Sequence, residues 1–246
     1  MPAIDLNCDM GEGFDNDQSI MAFVSSVNIA CGFHAGNKEL MTSTVESAVK
    51  MKISIGAHPG FPDKAGFGRT DMHLTADEIA EIIIYQVNAL MAITKSAGTT
   101  LRHVKPHGAL YNMAAKDPAI ANAIARAVMA VDNNLILFGL SGSYLISEAK
   151  SLFLKTVSEV FADRTYQDDG SLTPRTLPGA MINDPDKAGL HALNMVLNGK
   201  VTTITGNDIL VLAETICIHG DNPRAVEFAG TINKTLKHHH VSIRHP

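Results

Sequence analysis

The sequence AIDLNCDMGE, residues 3–12, reads as a strand whose two faces differ in chemistry. Asp5, Asn7 and Asp9 occupy alternate positions, and the residues between them are apolar. Because side chains of a strand point alternately to its two faces, one face is polar and the other apolar. A strand covered by helices on both sides of an open sheet would be apolar on both faces. The pattern therefore favours a closed barrel, whose interior can hold polar side chains near the mouth.

Two later segments repeat this division of faces. ISIGAH, residues 53–58, has serine, glycine and histidine at its even positions, and HVKPH, residues 103–107, places two histidines and a lysine on one face. Strands alternate with helix signals along the chain, which is the order of a mostly parallel sheet. We therefore predict an α/β fold, a seven-stranded β/α barrel formed by a single domain of residues 1–246. The predicted strands are residues 3–8, 26–31, 53–57, 101–105, 134–138, 156–162 and 208–218.

Helix start and stop signals lie between the predicted strands. Thr75 and Glu78 have the spacing of a capping box, and Gly98 is expected to end the helix that they open. Another helix is predicted over residues 37–52. Further helix starts are predicted where Asp or Asn precedes Pro, since the first caps the helix and the second fits its first turn. These pairs are residues 117–118, 184–185 and 222–223.

Composition excludes several classes of protein. Hydrophobic residues make up 46% and charged residues 18% of the chain, which is typical of a globular core. The net charge of −5 and the scattered lysines and arginines disfavour a nucleic-acid or membrane-surface partner. No apolar run has the length of a membrane span, and the N-terminus does not resemble a signal peptide. Three widely spaced cysteines suit a reducing compartment, so we expect a cytoplasmic protein.

Polar and ionisable residues collect directly after the predicted strands, and glycines flank most of them. The carboxyl ends of parallel strands converge on one mouth of a barrel. A single histidine beside a strand is commonly a hydrogen-bonded core residue, but this explanation does not suit histidines at four strand ends. We expect a common site there. The residues at these ends are Asp9, Glu12, His34, His58, Lys105, His107, Asp163, Arg164 and His219.

The residue types leave three kinds of chemistry open. Asp9, His34 and His58 follow successive strands and could hold a divalent metal, although no local metal-binding spacing supports this. Alternatively, carboxylates, histidines and Lys105 could perform acid–base work without a metal. The third alternative is a nucleophilic Cys31, for which a buried structural role is the simpler interpretation.

Two further segments bear on the site. Residues 164–176, RTYQDDGSLTPRT, form a polar segment that follows a strand directly, and we predict a functional loop or lid. The sequence contains neither a G-x-S-x-G elbow nor a G-x-x-x-x-G-K-[ST] phosphate loop. The residues themselves therefore do not indicate a nucleotide.

Several of these runs together resemble the LamB/YcsF family, whose members form the A component of 5-oxoprolinase. The resemblance extends over essentially the whole chain. The runs that carry it are DLNCDMGE (residues 5–12), NIACGFHAGN (28–37), GAHPGF (56–61), KPHGALYN (105–112), FADR (161–164) and HGD (219–221).

The resemblance implies a barrel similar to that of polysaccharide deacetylases. It also implies ATP-dependent cleavage of 5-oxo-L-proline to L-glutamate, with ATP and Mg²⁺ as cofactors and two partners, the 5-oxoprolinase subunits B and C. Phosphorylation of the lactam oxygen would make a stable lactam a better electrophile. Two other functions stay open: a metal-dependent, deacetylase-like hydrolase that needs no ATP, and a non-catalytic protein that presents 5-oxoproline to its partners. A homo-oligomer is compatible with each of them.

The strand-end pattern and the resemblance together give the expected roles. A divalent metal at the barrel mouth would be held by Asp9, His34 and His58. The expected catalytic residues are Asp9, Glu12, Lys105 and His107. The expected substrate-binding residues are Asn7, His34, His58, Arg69, Asp163, Arg164 and His219.

Overall fold

The computed structural model describes residues 2–246, and at its centre lies a closed barrel of parallel strands. Each barrel strand pairs with the next one along the chain, and the seventh pairs with both the sixth and the first, which closes the ring. The prediction of a seven-stranded β/α barrel is confirmed. The barrel strands are β1 (Ala3–Met10), β2 (Ser26–Ala30), β3 (Ser54–His58), β4 (His103–Val104), β5 (Ile136–Leu140), β6 (Lys155–Phe161) and β9 (Thr215–Ile218).

Helices follow the strands and cover the outside of the barrel. The capping box at Thr75 is present, and Asp117 and Asp184 accept hydrogen bonds from the first backbone N–H groups of their helices, as predicted. None of the helices within residues 2–246 has both the length and the apolarity to cross a membrane. The helices are α1 (Asp17–Met21), α2 (Lys38–Met51), α3 (Ala76–Ser96), α4 (Gly108–Lys116), α5 (Pro118–Val131), α6 (Tyr144–Ser151), α7 (Pro185–Asn198) and α8 (Ala225–His238).

The predicted strand over residues 208–218 is wrong in its extent. Its first part is β8 (Asp208–Leu210), which pairs antiparallel with β7 (Lys200–Thr202) in a hairpin outside the barrel. The apolar run there resembles a core strand, yet Leu210 is 81% exposed. Only the last four residues of the predicted strand, β9, enter the barrel.

The predicted helix start at residues 222–223 is also wrong. The side chain of Asn222 accepts a hydrogen bond from the backbone N–H of Arg224, which forms a turn before the helix. Helix α8 begins at Ala225, and its N-cap residue makes no side-chain capping bond.

The polar face of β1 points into the barrel, and its apolar face packs against the helices. At the amino-terminal end of the barrel, the Asp5 carboxylate accepts hydrogen bonds from Ser25, Ser26 and Thr215. These bonds satisfy the carboxylate in the interior, where an unpaired polar group would destabilise the fold. On the other face, Leu6 and Cys8 are fully buried.

A glycine in β3 makes room for a histidine that crosses the barrel. The ring of His103 lies directly against the Cα of Gly56, where any side chain would collide with it. The ring stacks on Phe138 with 4.1 Å between centroids, and its Nε2 lies 2.8 Å from Oδ1 of Asn28. This layer closes the interior below the mouth.

Candidate active site at the barrel mouth

A buried ammonium group lies at the floor of the mouth. Lys105, directly after β4, is 3% exposed, and its Nζ lies 2.9 Å from Asp9 Oδ1 and 2.9 Å from Glu159 Oε1. It also donates to Oδ1 of Asn7 at 3.2 Å and to Sγ of Cys217 at 3.0 Å. Burial opposes the charge, but these neighbours outweigh it and raise the pKa of Lys105 well above its ordinary value. Lys105 is therefore a fixed positive charge.

Asp9 is an ionised carboxylate at the carboxyl end of β1. Burial works against its charge, but His58 and Lys105 lie close enough to hold the pKa of Asp9 well below the ordinary range. Its Oδ1 accepts from Lys105 and from Nδ2 of Asn28, while its Oδ2 lies 3.3 Å from His58 Nε2.

Glu159, in β6, is part of the same network and was not among the predicted site residues. It is fully buried, and its two oxygens accept from Asn7 Nδ2 at 2.9 Å and from the Tyr111 hydroxyl at 2.7 Å. A sequence signal for it exists, because a glutamate in the middle of a buried parallel strand needs a partner. Tyr111, in α4, gave no such signal.

Three histidines and a glutamate form a second cluster beside Asp9. His58 Nδ1 lies 2.7 Å from the Lys105 carbonyl and His107 Nε2 lies 2.8 Å from the Phe67 carbonyl, so both nitrogens carry hydrogen. The facing atoms, His58 Nε2 and His107 Nδ1, are 2.9 Å apart and would both present lone pairs if both rings were neutral. A shared proton or a cation is therefore required between them.

Glu12 and His34 complete this cluster. Glu12 Oε1 lies 3.4 Å from His34 Nε2, 3.5 Å from His107 Nδ1 and 4.0 Å from His58 Nε2. Burial, with the charge of Asp9, raises the pKa of Glu12 to about 7. Burial, with the charge of His58, lowers the pKa of His34 to about 3, so that ring is neutral.

The cluster fits a divalent metal. Glu12, His34, His58 and His107 offer ligand atoms within 4.8 Å of one another. Both ring nitrogens of His34 and Oε1 of Glu12 are buried without a hydrogen-bond partner. Imidazole nitrogens oriented by backbone carbonyls, together with one carboxylate, are a common ligand set for such ions. Among the described residues, Glu12 and His107 join His34 and His58 in this group, whereas the predicted ligand Asp9 belongs to a neighbouring group with Cys217 and His219.

Arg69 and His219 lie at the rim of the mouth. His219, which follows β9, lies 2.8 Å from the Asp163 carboxylate and stacks on Phe161. The Asp221 carboxylate lies 2.5 Å from Arg69 Nη2 and 3.6 Å from an Arg175 nitrogen. The mouth thus has a floor of buried carboxylates and a rim that is rich in arginine.

A cavity of about 610 Å³ lies between floor and rim, and residues 171, 172 and 174–176 of the predicted loop form part of its wall. This volume is in the range of small-molecule sites. Eight of the predicted residues line it, whereas Asn7, His34 and Asp163 support the wall from behind. Those that line it are Asp9, Glu12, His58, Arg69, Lys105, His107, Arg164 and His219.

The cysteines do not provide a nucleophile. Cys31 is buried, and burial raises the pKa of its thiol to about 12, so the reactive thiolate is scarce at neutral pH. Cys8 and Cys217 are also buried, and burial raises the pKa of each thiol well above its ordinary value.

The family profile described as LamB/YcsF family matches residues 4–246. The chain belongs to the LamB/YcsF family. It is 51% identical to a protein of Shouchella clausii named as the A component of 5-oxoprolinase, over 99% of this chain and 98% of that protein. The resemblance drawn from the sequence motifs is therefore confirmed. The name of this relative also indicates that proteins of this kind are components of a multi-subunit enzyme.

Solved structures share the fold of this chain. The lactam utilization protein of Thermus thermophilus superposes with a TM-score of 0.93 and 43% identity, over 98% of this chain and 99% of that one. A family 4 carbohydrate esterase from Streptomyces lividans shares the fold at a TM-score of 0.52 and 11% identity, over 98% of this chain and 91% of the esterase. The predicted likeness to the deacetylase barrel is confirmed at the level of fold.

Proposed function

We propose that this chain opens the lactam ring of 5-oxo-L-proline to give L-glutamate. One observation carries the proposal: the carboxyl groups of Asp9 and Glu12 both approach His58 Nε2 at the floor of the cavity, at 3.3 Å and 4.0 Å, in surroundings that drive their pKa values apart. The pKa of Asp9 is held well below its ordinary value, whereas that of Glu12 is about 7. Carboxyl groups whose pKa values are driven apart by their surroundings are a common acid–base arrangement in hydrolases. The names of the relatives support a lactam as the substrate.

Lactam opening needs one group that accepts a proton and one that returns it. Water adds to the carbonyl carbon, the bond from that carbon to the ring nitrogen breaks, and the nitrogen takes up a proton. We assign orientation of the water to Asp9, whose Oδ2 faces His58. Glu12 accepts the proton from the water and returns it to the ring nitrogen as the bond breaks, assisted by His107 at 3.5 Å. Lys105 keeps Asp9 ionised and placed, because its ammonium already donates to Asp9, Asn7 and Cys217.

We further propose that ring opening is coupled to ATP with Mg²⁺ and proceeds together with partner subunits B and C in the cytoplasm. Transfer of the terminal phosphoryl group of ATP to the lactam oxygen, with ADP as the leaving group, would make the ring carbon more electrophilic. Once water has added to that carbon and the bond to nitrogen has broken, a second water would hydrolyse the resulting acyl phosphate to L-glutamate and inorganic phosphate. Since the chain has no phosphate-loop motif, we assign nucleotide binding to the assembled enzyme.

A metal-dependent, deacetylase-like hydrolysis is the second candidate. It is favoured by the unpartnered nitrogens of His34 and by the facing lone pairs of His58 and His107. Glu12 and these three histidines would hold the ion. A divalent ion there would polarise a carbonyl and lower the pKa of a bound water.

The test measures glutamate and ADP released from 5-oxoproline by the chain together with subunits B and C. Asp9→Asn and Glu12→Gln should each lower kcat by at least about 100-fold, the scale of a lost acid–base group, while 5-oxoproline still binds. Arg126→Gln, an exposed change on α5, is the control and should keep full turnover. Unchanged turnover in both site variants would mean that the chain only presents the substrate. Chelator-sensitive hydrolysis of an acetylated sugar by the isolated chain would instead support the second candidate.

A further inference from the structure

Arg164, three residues after the end of β6, is a buried arginine without a carboxylate partner. It is 6% exposed and lines the cavity at the barrel mouth. One terminal nitrogen donates to the backbone carbonyl of Thr173, and its Nε has no hydrogen-bond partner. Within residues 2–246 it forms no ion pair. Arginine is rarely buried unless it is paired, because an uncompensated charge in the interior destabilises the fold.

The nearby carboxylates already have other partners. Asp163 accepts from His219 at 2.8 Å, and Asp221 is shared between Arg69 and Arg175. Burial and the positive charge of Arg175 lower the pKa of Arg164, and the negative charge of Asp163 only partly opposes them. Within residues 2–246, no carboxylate of this part of the wall lies within ion-pair distance of Arg164.

We propose that Arg164, assisted by Arg175, is the subsite that binds the carboxylate of 5-oxoproline and so directs the lactam carbonyl towards the floor. The inference rests on the proposed function, and it adds how the substrate is recognised. A guanidinium presents parallel donors that match the two oxygens of a carboxylate, and within residues 2–246 only one terminal nitrogen of Arg164 already donates to the protein. A bound carboxylate would also relieve the repulsion between the two arginines.

The segment that carries both arginines is held in place. Arg164 forms a β-bridge with Met181, and Tyr166 forms one with Leu172. The Tyr166 side chain is fully buried, and its hydroxyl accepts from the backbone N–H of Phe161 at 2.8 Å. A subsite fixed before the substrate arrives binds more tightly, since less side-chain entropy is lost on binding.

The experiment compares two lactams that differ only in the carboxylate. Binding of 5-oxo-L-proline and of 2-pyrrolidinone to the full chain is measured by calorimetry, and KM for 5-oxoproline is measured with the partner subunits. Wild type should prefer 5-oxoproline. Arg164→Gln should weaken binding of 5-oxoproline and raise KM by about 30-fold or more, with little effect on 2-pyrrolidinone, as expected for the loss of a buried charge partner. Arg164→Lys keeps the positive charge but loses the paired N–H donors of the guanidinium. Its affinity for 5-oxoproline should lie between those of wild type and Arg164→Gln. Arg126→Gln should match wild type.

The outcomes separate this inference from the function on which it rests. In one outcome, wild type turns over 5-oxoproline, and Arg164→Gln and Arg164→Lys, both folded by circular dichroism, still prefer 5-oxoproline to 2-pyrrolidinone. The assignment of the carboxylate subsite to Arg164 is then wrong, and the proposed function stands. If wild type with its partners yields no glutamate and binds neither lactam, both fail. If Arg164→Gln loses affinity for inorganic phosphate but not for 5-oxoproline, the site serves a phosphoryl group and the carboxylate assignment is wrong.

Discussion

The Lys105 side chain connects two buried carboxylates, and its loss should have a large effect on stability. Lys105→Met keeps most of the volume but leaves Asp9 and Glu159 buried without their cation. Removing one partner of a buried ion pair typically costs about 3–5 kcal/mol of unfolding free energy. We expect urea unfolding to show a loss of this size, and 5-oxoproline turnover to fall by at least about 100-fold.

The matching double variant separates electrostatics from packing. In Lys105→Met with Glu159→Gln, one of the uncompensated charges is gone, so part of the lost stability should return. The comparison also needs the unfolding free energy of Glu159→Gln alone. If adding Glu159→Gln to Lys105→Met lowers the unfolding free energy by as much as Glu159→Gln does in wild type, the two side chains are not coupled.

Asp17, at the start of α1, should make stability depend on pH. Its carboxylate accepts from the backbone N–H of Gly11 at 2.7 Å, but burial prevails and raises the pKa of Asp17 to about 6. The folded state therefore holds this proton more tightly than the unfolded chain does. The resulting contribution to stability is complete below about pH 4 and is lost as the pH rises through about 6.

The Asp17→Asn variant tests this dependence. Asparagine keeps an acceptor for Gly11 and cannot ionise, so the unfolding free energy of the variant minus that of wild type should increase between pH 4 and 7. Urea unfolding at several pH values measures it. A difference that stays constant or decreases over that interval would contradict the assignment.

Two glycines, one in a strand and one in a helix, should respond in opposite ways to the same substitution. Gly56→Ala, in β3, would force the His103 ring away from Asn28 and Phe138 and should cost about 1–3 kcal/mol of stability through overpacking. Gly230→Ala, in α8, would place its methyl group in ordinary contact with the Phe23 ring at 3.6 Å and should gain about 0.5–1 kcal/mol. Thermal or urea unfolding of both variants gives the comparison, and equal signs would contradict it.

Elements were predictable from the sequence where one local pattern determined them. The alternation around Asp5 to Asp9 gave the inward face of β1, and Asp117 and Asp184 gave two helix starts. The β7–β8 hairpin was missed because its apolar residues look like a core strand, and nothing local to Leu210 shows that it is exposed.

At the scale of the whole molecule, the barrel explains how much of the site could be foreseen. Residues at the ends of parallel strands converge, so the positions of Asp9, His58 and Lys105 followed from strand order alone. The hydrogen bonds of Glu159 and the free Nε of Arg164 depend on where side chains from distant strands meet. That geometry is set by packing across the barrel, and single-strand patterns contain no information on it.

Barrel closure also predicts the effect of removing the C-terminal strand, β10 (Ser242–Ile243). It pairs with β1 at Ala3 and Ile4, while β9 pairs with β1 over Asp5 to Cys8 and closes the ring without it. Deleting residues 241–246 removes the buried Val241 and should cost about 2 kcal/mol in urea unfolding. Because the mouth lies at the opposite end of the strands, turnover of 5-oxoproline should stay within about twofold of wild type. Loss of turnover in a truncated chain that still unfolds in one cooperative transition would show that the two ends of the barrel are coupled.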